Sequence, residues 1–289
     1  QFIEGHRPQG SGLYFSTNSV HACESKMLSS FAKDGVANNE DGFHIASTKL
    51  AGVVQYELPA APDHSYILIA DPGTGEAPNR NAPTCMVWDI TNFPEQRCML
   101  AGFWWGSGHG SITPFLVKYF QLMMKYKPIY NGVDSTGPQK ATAELLNTYV
   151  LDRGKVEDTG GWLGQINLDG IIDKAIHGLD FSGGKKPMYL INARLMIEAK
   201  LMTWADIIVG IRSQLTNYDP AKDRIGEPKI SQDIVAAFAM SAHVIRALFH
   251  ITPSDFAHKG DEQDDDLLEA YADRSIRFGA EERNSRAYS

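Results

Sequence analysis

The stretch from Tyr66 to Gly75, with the sequence YILIADPGTG, constrains the fold of this chain more than any other segment. Five apolar or aromatic residues precede Asp71, and a Pro-Gly turn follows it at once. A continuous apolar run before a turn is typical of a central strand buried on both faces. The pattern therefore predicts a strand that delivers Asp71 to a sheet edge, where a carboxylate needs a metal ion, a cation or hydrogen bonds.

The composition sets broad limits on the class of protein. The chain has 289 residues, 43% of them hydrophobic and 21% charged, which is ordinary for a globular protein and predicts one large domain or a domain with an extension. No apolar run of about 18 residues suggests a membrane span. The chain opens with neither a signal peptide nor an initiator Met, so we expect a piece of a longer polypeptide.

Charge and cysteine content narrow the candidate partners and metals. The net charge of −8 argues mildly against nucleic acid as a partner, although an acidic metal cluster adds negative charge locally. The three cysteines, Cys23, Cys85 and Cys98, are far apart and show no CxxC spacing. A cysteine-based zinc site is therefore not expected, and reduced thiols are the simplest interpretation.

The segments after Asp71 predict a mixed sheet. Thr84–Ile90 and Cys98–Trp105 are strand-like, and the short Pro-, Gly- and Asn-containing connections favour antiparallel neighbours. Ile112–Tyr126 follows as a helix with apolar residues on one face. The next strand, at residues 128–134, ends in Asp134 and a Ser-Thr-Gly turn. A right-handed crossover makes it parallel to its partner, so Asp134 and Asp71 are expected at the same sheet edge.

A third acid stands at the start of a long helix. Asp233 precedes Ile234–Phe249, which is apolar on nearly every side and is therefore predicted to be buried. Carboxylates without Cys or His companions are the ligands that magnesium and manganese prefer. Each aspartate alone also fits a structural role, as a turn residue or a helix cap. The combination of two strand ends and a buried helix start favours a site for Mg²⁺ or Mn²⁺.

The order of these motifs resembles the ribonuclease H-like fold, and within it the nuclease domain of tailed-bacteriophage large terminases. The resemblance rests on Tyr66–Gly75, on the segment GVDSTG at 132–137, on SQLTNY at 213–218 and on SQDIVAAFAMSAH at 231–243. It implies a mixed five-stranded α/β sheet, three antiparallel strands followed by parallel ones, flanked by helices. Gln232 stands where many members of that family have a second acid, which leaves one ligand fewer for a second ion.

The resemblance also implies a function. It is that of a metal-dependent endonuclease that cuts concatemeric double-stranded DNA in the phage packaging complex of the host cytoplasm. Asp71, Asp134 and Asp233 would be both the catalytic residues and the metal ligands. The implied partners are DNA, an upstream ATPase domain, the small terminase subunit and the portal. A lysine-rich surface is a candidate DNA contact or simply a solvated face; its members are Lys118, Lys125, Lys127, Lys140, Lys185 and Lys186.

Three other functions remain open from the residues. A resolvase- or transposase-like nuclease would use the same acids on branched DNA. An actin-like ATP-binding domain would use Asp71–Thr74 as a phosphate loop, although 289 residues are few for two such domains. A degenerate domain would only dock onto a motor or portal.

We expect a lead-in over residues 1–62, a nuclease domain over 63–252 and a polar tail over 253–289.

Overall fold

The computed structural model describes residues 14–31, 37–38, 43–49, 52–73, 82–106, 112–151, 176–182, 184–220 and 233–251. Its strands are β1 (Glu24–Ser25), β2 (Ala37–Asn38), β3 (His44–Thr48), β4 (Gly52–Glu57), β5 (Tyr66–Asp71), β6 (Thr84–Asp89), β7 (Cys98–Trp105), β8 (Tyr130–Asp134), β9 (Ile176–Leu179) and β10 (Met202–Ala205). Its helices are α1 (Thr17–His21), α2 (Lys26–Ser30), α3 (Thr113–Tyr126), α4 (Gln139–Leu151), α5 (Lys186–Glu198), α6 (Val209–Thr216) and α7 (Asp233–Leu248).

The centre of the sheet has the strand order β7-β6-β5-β8-β9. Among these central strands, the three that come first in sequence are β5, β6 and β7, and they pair antiparallel. The pairs β5–β8 and β8–β9 are parallel. This arrangement confirms the ribonuclease H-like fold class predicted from the sequence.

The sheet is wider than the five strands expected. Over the described residues it has ten strands, because β4, β3 and β2 extend it beyond β7 and β10 pairs with both β7 and β1. The fifth central strand, β9, was not predicted, because its sequence IHGL is short and places a His and a Gly at its centre. The strand that the sequence suggested at Trp162–Leu168 lies outside the described residues.

Two hydrophobic layers cover the sheet. Ile67 and Ile69 of β5 face a core shared with α5, α6 and α7, whereas Leu68 and Ala70 face a second core against α3 and α4. Every residue of β5 is buried, as expected for a strand covered on both faces. Because side chains alternate along a strand, Asp71 lies on the same face as Ile69, which is the face that α7 covers.

Residues before Tyr66 contribute to the same body. Glu57 of β4 pairs with Gly102 of β7, and Ser25 of β1 pairs with Ala205 of β10. The domain boundaries expected at 62 and 252 stay predictions, and the polar tail at 253–289 lies outside the described residues. Within the part of the chain that is described, no helix is long and apolar enough to cross a bilayer. Cys23, Cys85 and Cys98 are buried thiols.

Phe238 is a central contact between helix α7 and the sheet. Phe238 is fully buried, and its ring meets both Trp88 of β6 and Trp204 of β10 edge-on at centroid distances of 5.6 Å. Aromatic pairs in this geometry add stability beyond the area that they bury.

We expect Phe238→Ala to lower the free energy of unfolding by about 3–5 kcal/mol, since it leaves a cavity between two indole rings. Urea denaturation followed by tryptophan fluorescence measures this. The control is Leu248→Ala in the last turn of the same helix, where the side chain is 41% exposed and the change should stay within about 0.5 kcal/mol. Equal effects of the two substitutions would contradict this account of how α7 packs.

Candidate metal centre

Asp71 ends β5 with its carboxylate buried and held at one oxygen. Oδ1 accepts hydrogen bonds from the backbone N–H of Gly73 at 2.9 Å and from Nε2 of Gln139 at 2.9 Å. Gly73 has φ of 64°, a left-handed conformation that glycine adopts at little cost. The turn role considered from the sequence is therefore present, but both donors converge on Oδ1 and leave Oδ2 for another ligand.

Asp134 ends the neighbouring parallel strand. The β5–β8 register runs from Ile67 opposite Tyr130 to Ala70 opposite Val133, so Asp71 and Asp134 are the next residue on each strand. Oδ1 of Asp134 accepts the backbone N–H of Thr136 at 2.8 Å, as in the turn after Asp71. Asp134 is 4% exposed. The structure thus places both predicted aspartates on one sheet edge.

Asp233 reaches the same edge from α7. Its Oδ2 accepts the backbone N–H of Ala82 at 2.7 Å, two residues before Thr84, which is paired in register with Asp71. The carboxylate therefore joins the first turn of α7 to the start of β6. Gln232, next to it in sequence, lies outside the described residues.

The start of α7 is fixed by α6. The side-chain oxygen Oε1 of Gln214 accepts the backbone N–H of Ile234 at 3.0 Å, which satisfies one of the helix's initial donors. A Cβ at Gly210 would lie 3.0 Å from Cδ1 of Ile234, so glycine lets the two helices approach closely. The segment SQLTNY at 213–218, which contains Gln214, thus positions Asp233.

The three carboxylates interact electrostatically. Burial, followed by the charges of Asp134 and Asp233, raises the pKa of Asp71 well above its ordinary value, and the hydrogen bonds from Gly73 and Gln139 oppose this. Burial also raises the pKa of Asp134, against the hydrogen bonds from Thr136. Buried carboxylates that repel one another are unfavourable unless a cation or protons neutralise them.

The donor set fits a hard divalent cation. All three side chains offer carboxylate oxygens, and magnesium and manganese prefer such ligands. Among the described residues, no three His, Cys, Asp or Glu side chains already stand close enough to coordinate one ion. Mutual repulsion keeps carboxylates apart in the absence of a cation, so we expect the side chains to draw together when one binds.

Two residues near this edge were not predicted from the sequence. Gln139, the first residue of α4, is 9% exposed and donates to Asp71. Asp180 directly follows β9, repeating the pattern of an acid after a strand, and its charge contributes to the raised pKa of Asp134. Asp180 is partly exposed and pairs with Lys185, whose Nζ lies 3.3 Å from Oδ2. The repeated strand–acid pattern was the available signal, and the weak strand sequence of β9 concealed it.

Five of the six lysines considered as one surface fall into two groups, and the sixth, Lys127, follows the end of α3. Lys140, Lys185 and Lys186 begin the helices that follow β8 and β9, so they lie at the edge that carries the acids. Lys118 and Lys125 instead pair with the buried Glu57.

Asp89 was expected at the opposite edge from Asp71, and its pairing with Tyr66 at the start of β5 places it there.

We expect Asp71→Asn to raise the free energy of unfolding by about 0.5–2 kcal/mol at neutral pH in chelator, because it removes a repelled, buried charge. With its pKa raised on folding, Asp71 binds protons more tightly in the folded state, so stability falls as pH rises from the acidic range through neutral. This pH dependence should be smaller in the variant. Denaturant titrations between about pH 5 and pH 8 measure both effects.

The matched control is Asp89→Asn at the end of β6. The Asp89 carboxylate accepts hydrogen bonds from Thr91 N–H at 3.0 Å and from Thr91 Oγ1 at 2.6 Å, and it also contacts His64. Loss of this charge should therefore destabilise the protein. Destabilisation by Asp71→Asn as well would contradict the proposed repulsion.

Structural comparison finds large terminases of phages. The large terminase nuclease from thermophilic phage G20c with bound magnesium is similar at a TM-score of 0.46 and 18% identity, over 66% of this chain and 87% of that chain. The zinc-bound form gives a TM-score of 0.43, also at 18% identity, with the same coverage. The large terminase from another thermophilic bacteriophage gives 0.41 at 11% identity, over 72% of this chain and 45% of that chain.

Sequence comparison adds nothing to this. No protein-family model matches the chain, and no curated protein sequence matches it significantly. The structural neighbours are of the class that the sequence motifs resemble, but identities of at most 18% and TM-scores of at most 0.46 carry no argument about activity. Any such argument depends on the site itself.

Proposed function

We propose that this chain is the nuclease part of a phage large terminase, a metal-dependent endonuclease that cuts concatemeric double-stranded DNA. The observation that carries the proposal is geometric: the β5–β8 register brings Asp71 and Asp134 to one sheet edge, and Asp233 bonds to Ala82 beside the same edge. Two of these acids come from parallel strands and one from a buried helix, which is more than turns and caps require. The packaging context depends on the sequence resemblance, and the partners are then an upstream ATPase domain, the small subunit and the portal.

Asp71, Asp134 and Asp233 would hold the metal, Mg²⁺ or Mn²⁺. When bound, such ions supply a water activated for attack and a counter-charge for the scissile phosphate. The protein's own contribution is to fix the carboxylates. Gly73 and Gln139 orient Asp71, Thr136 orients Asp134, and Ala82 orients Asp233. Oriented ligands of this kind bind metals more tightly than mobile ones.

The same edge offers candidate contacts to the DNA backbone. The side chains of Lys140 and Lys185 are 73% and 60% exposed at the starts of α4 and α5. Lysines neutralise phosphates without reading the base sequence, which suits an enzyme with little sequence preference. Lys185 also pairs with Asp180, so DNA binding there would compete with this ion pair.

We expect Asp71→Asn to reduce metal-dependent DNA cleavage by about 100-fold or more, since it removes a charged ligand from the proposed centre. Nicking and linearisation of a supercoiled plasmid in Mg²⁺ or Mn²⁺, resolved on agarose gels, measures the rate. Asp89→Asn, a buried aspartate at the other sheet edge, is the control and should retain activity.

The alternatives give different outcomes in the same assay. Full activity of Asp71→Asn would sink the assignment. Preference for branched over linear duplexes would favour a resolvase-like enzyme. ATP turnover without DNA cleavage would favour the actin-like alternative, and the absence of metal binding by calorimetry would favour a degenerate docking domain.

A separate prediction concerns Gln139. Gln139→Leu should weaken Mn²⁺ binding by about 10- to 100-fold, because the orientation of Asp71 is lost while every carboxylate remains. Calorimetric titration with MnCl₂ measures the affinity. The control is Asn217→Leu, which removes an exposed amide at the end of α6 and should leave the affinity unchanged. An unchanged affinity in Gln139→Leu would mean that the amide does not position Asp71.

A further inference from the structure

Helix α5 carries a row of apolar side chains on its outer face. Met188 and Ile191 are 45% and 51% exposed, and Leu195 is half-buried. These residues lie three and four positions apart, so they share one face of the helix over a length of about 10 Å. The inner face of the same helix, with Leu190 and Ile197, packs in the core with α7. A contiguous apolar row, unlike a single exposed side chain, marks a contact surface.

The chain leaves the described residues beside this row. Arg246, near the end of α7, donates through Nη1 to Oδ1 of Asn192 and through Nη2 to the carbonyl oxygen of Ile251 at 3.0 Å. One guanidinium group thus holds Ile251, where the described residues end, against the middle of α5. Asn192 adjoins Ile191 in sequence, so the residues after 251 begin close to the apolar row.

The sequence that follows contains an amphipathic pattern. Residues 264–278, with the sequence DDDLLEAYADRSIRF, lie outside the described residues. On a helix, at about 100° per residue, four of their apolar side chains fall within one arc of about 100°. They are Leu267, Leu268, Tyr271 and Phe278. The acids at 264–266 suit the first turn of a helix, where the macrodipole favours negative charge. The pattern predicts a helix with one apolar face, and such a face needs a surface to cover it.

The connection is long enough for this segment to reach α5. Leu267 is 16 positions after Ile251, and an extended chain of that length spans up to about 50 Å. Helix α5 has 13 residues and is only about 20 Å long. A tethered segment also has a high effective concentration at its own chain, which favours it over a second copy of the protein.

Residues 1–13 are a competing occupant of the row. Tyr14 directly follows them, and its ring lies 6.0 Å from the guanidinium carbon of Arg194 on α5. These residues include three glycines and a proline, which disfavour a helix, and they lack the amphipathic spacing of 264–278. The C-terminal segment therefore fits the row better.

We propose that residues 264–278 form an amphipathic helix that docks on the apolar row of α5 in the same chain. The apolar arc would cover Met188, Ile191 and Leu195, and the charged side would face water. This interaction is independent of the proposed nuclease function, because it involves none of the three aspartates.

The test is amide hydrogen exchange of the whole chain, measured by mass spectrometry. We expect the amides of residues 266–278 to exchange at least about tenfold more slowly than in an unfolded peptide. A helix of this length is marginal in water by itself, so protection reports docking. The protection should stay the same over about a tenfold range of protein concentration, because the contact is intramolecular.

Two substitutions place a charge on opposite sides of the contact. Ile191→Asp and Leu267→Asp should each bring exchange of residues 266–278 to within about threefold of the unfolded rate. The matched control is Ile129→Asp, the same change at a 60% exposed isoleucine directly before β8, and it should leave the protection unchanged. Thermal melts establish that each variant is folded. Leu267→Asp changes no residue of the described core, so it remains informative if Ile191→Asp does not fold.

Several results would overturn the proposal. Absence of protection at 266–278 in the unsubstituted chain is one, and protection that survives in a folded Ile191→Asp variant is another, because the segment would then pack elsewhere. Protection that rises with protein concentration would assign the row to a second copy. Loss of protection at residues 1–13 alone in Ile191→Asp would assign it to that segment.

Discussion

The parallel pairing of β5 with β8 is the constraint on which the candidate site depends. Its register makes Asp71 and Asp134 the next residue on each of two adjacent strands, so both carboxylates leave the sheet at one point. Parallel strands bring their carboxyl ends to a common edge, which an antiparallel pair does not. The antiparallel neighbour β6 shows the contrast, because its terminal Asp89 lies at the opposite edge and serves a turn with Thr91.

The candidate site also shows what it costs in stability to bury several carboxylates close together. Burial and the charges of Asp134 and Asp233 raise the pKa of Asp71, and burial raises the pKa of Asp134. Backbone N–H groups of Gly73, Thr136 and Ala82 donate to Asp71, Asp134 and Asp233. Such partial satisfaction is common where a group must remain available to a ligand. The turn bonds of Asp71 and Asp134 are present, and they orient the oxygens that remain.

The buried acid Glu57, beneath α3, is surrounded by lysines instead of other acids. There Glu57 accepts hydrogen bonds from the side chains of Lys118, Gln55 and Lys125. It attaches β4, a strand outside the five-stranded centre, to a helix on the far side of the sheet from the acids.

The sequence by itself predicted four of the five central strands and the three aspartates of the candidate site. These are local signals. An apolar run precedes Asp71, a strand–turn pattern contains Asp134, and a largely apolar helix follows Asp233. Burial on both faces of a strand and helix periodicity are visible in short windows of sequence. Only the tertiary structure decided what surrounds them. The donation from Gln139 to Asp71, the support of α7 by Gln214 and the pairing of Lys118 with Glu57 join residues 20 to 68 positions apart. Such contacts depend on how elements pack, and no periodicity within one segment encodes them. Strand β9, with Asp180 beside it, was missed because its local signal is weak, and its pairing with β8 defines it as a strand.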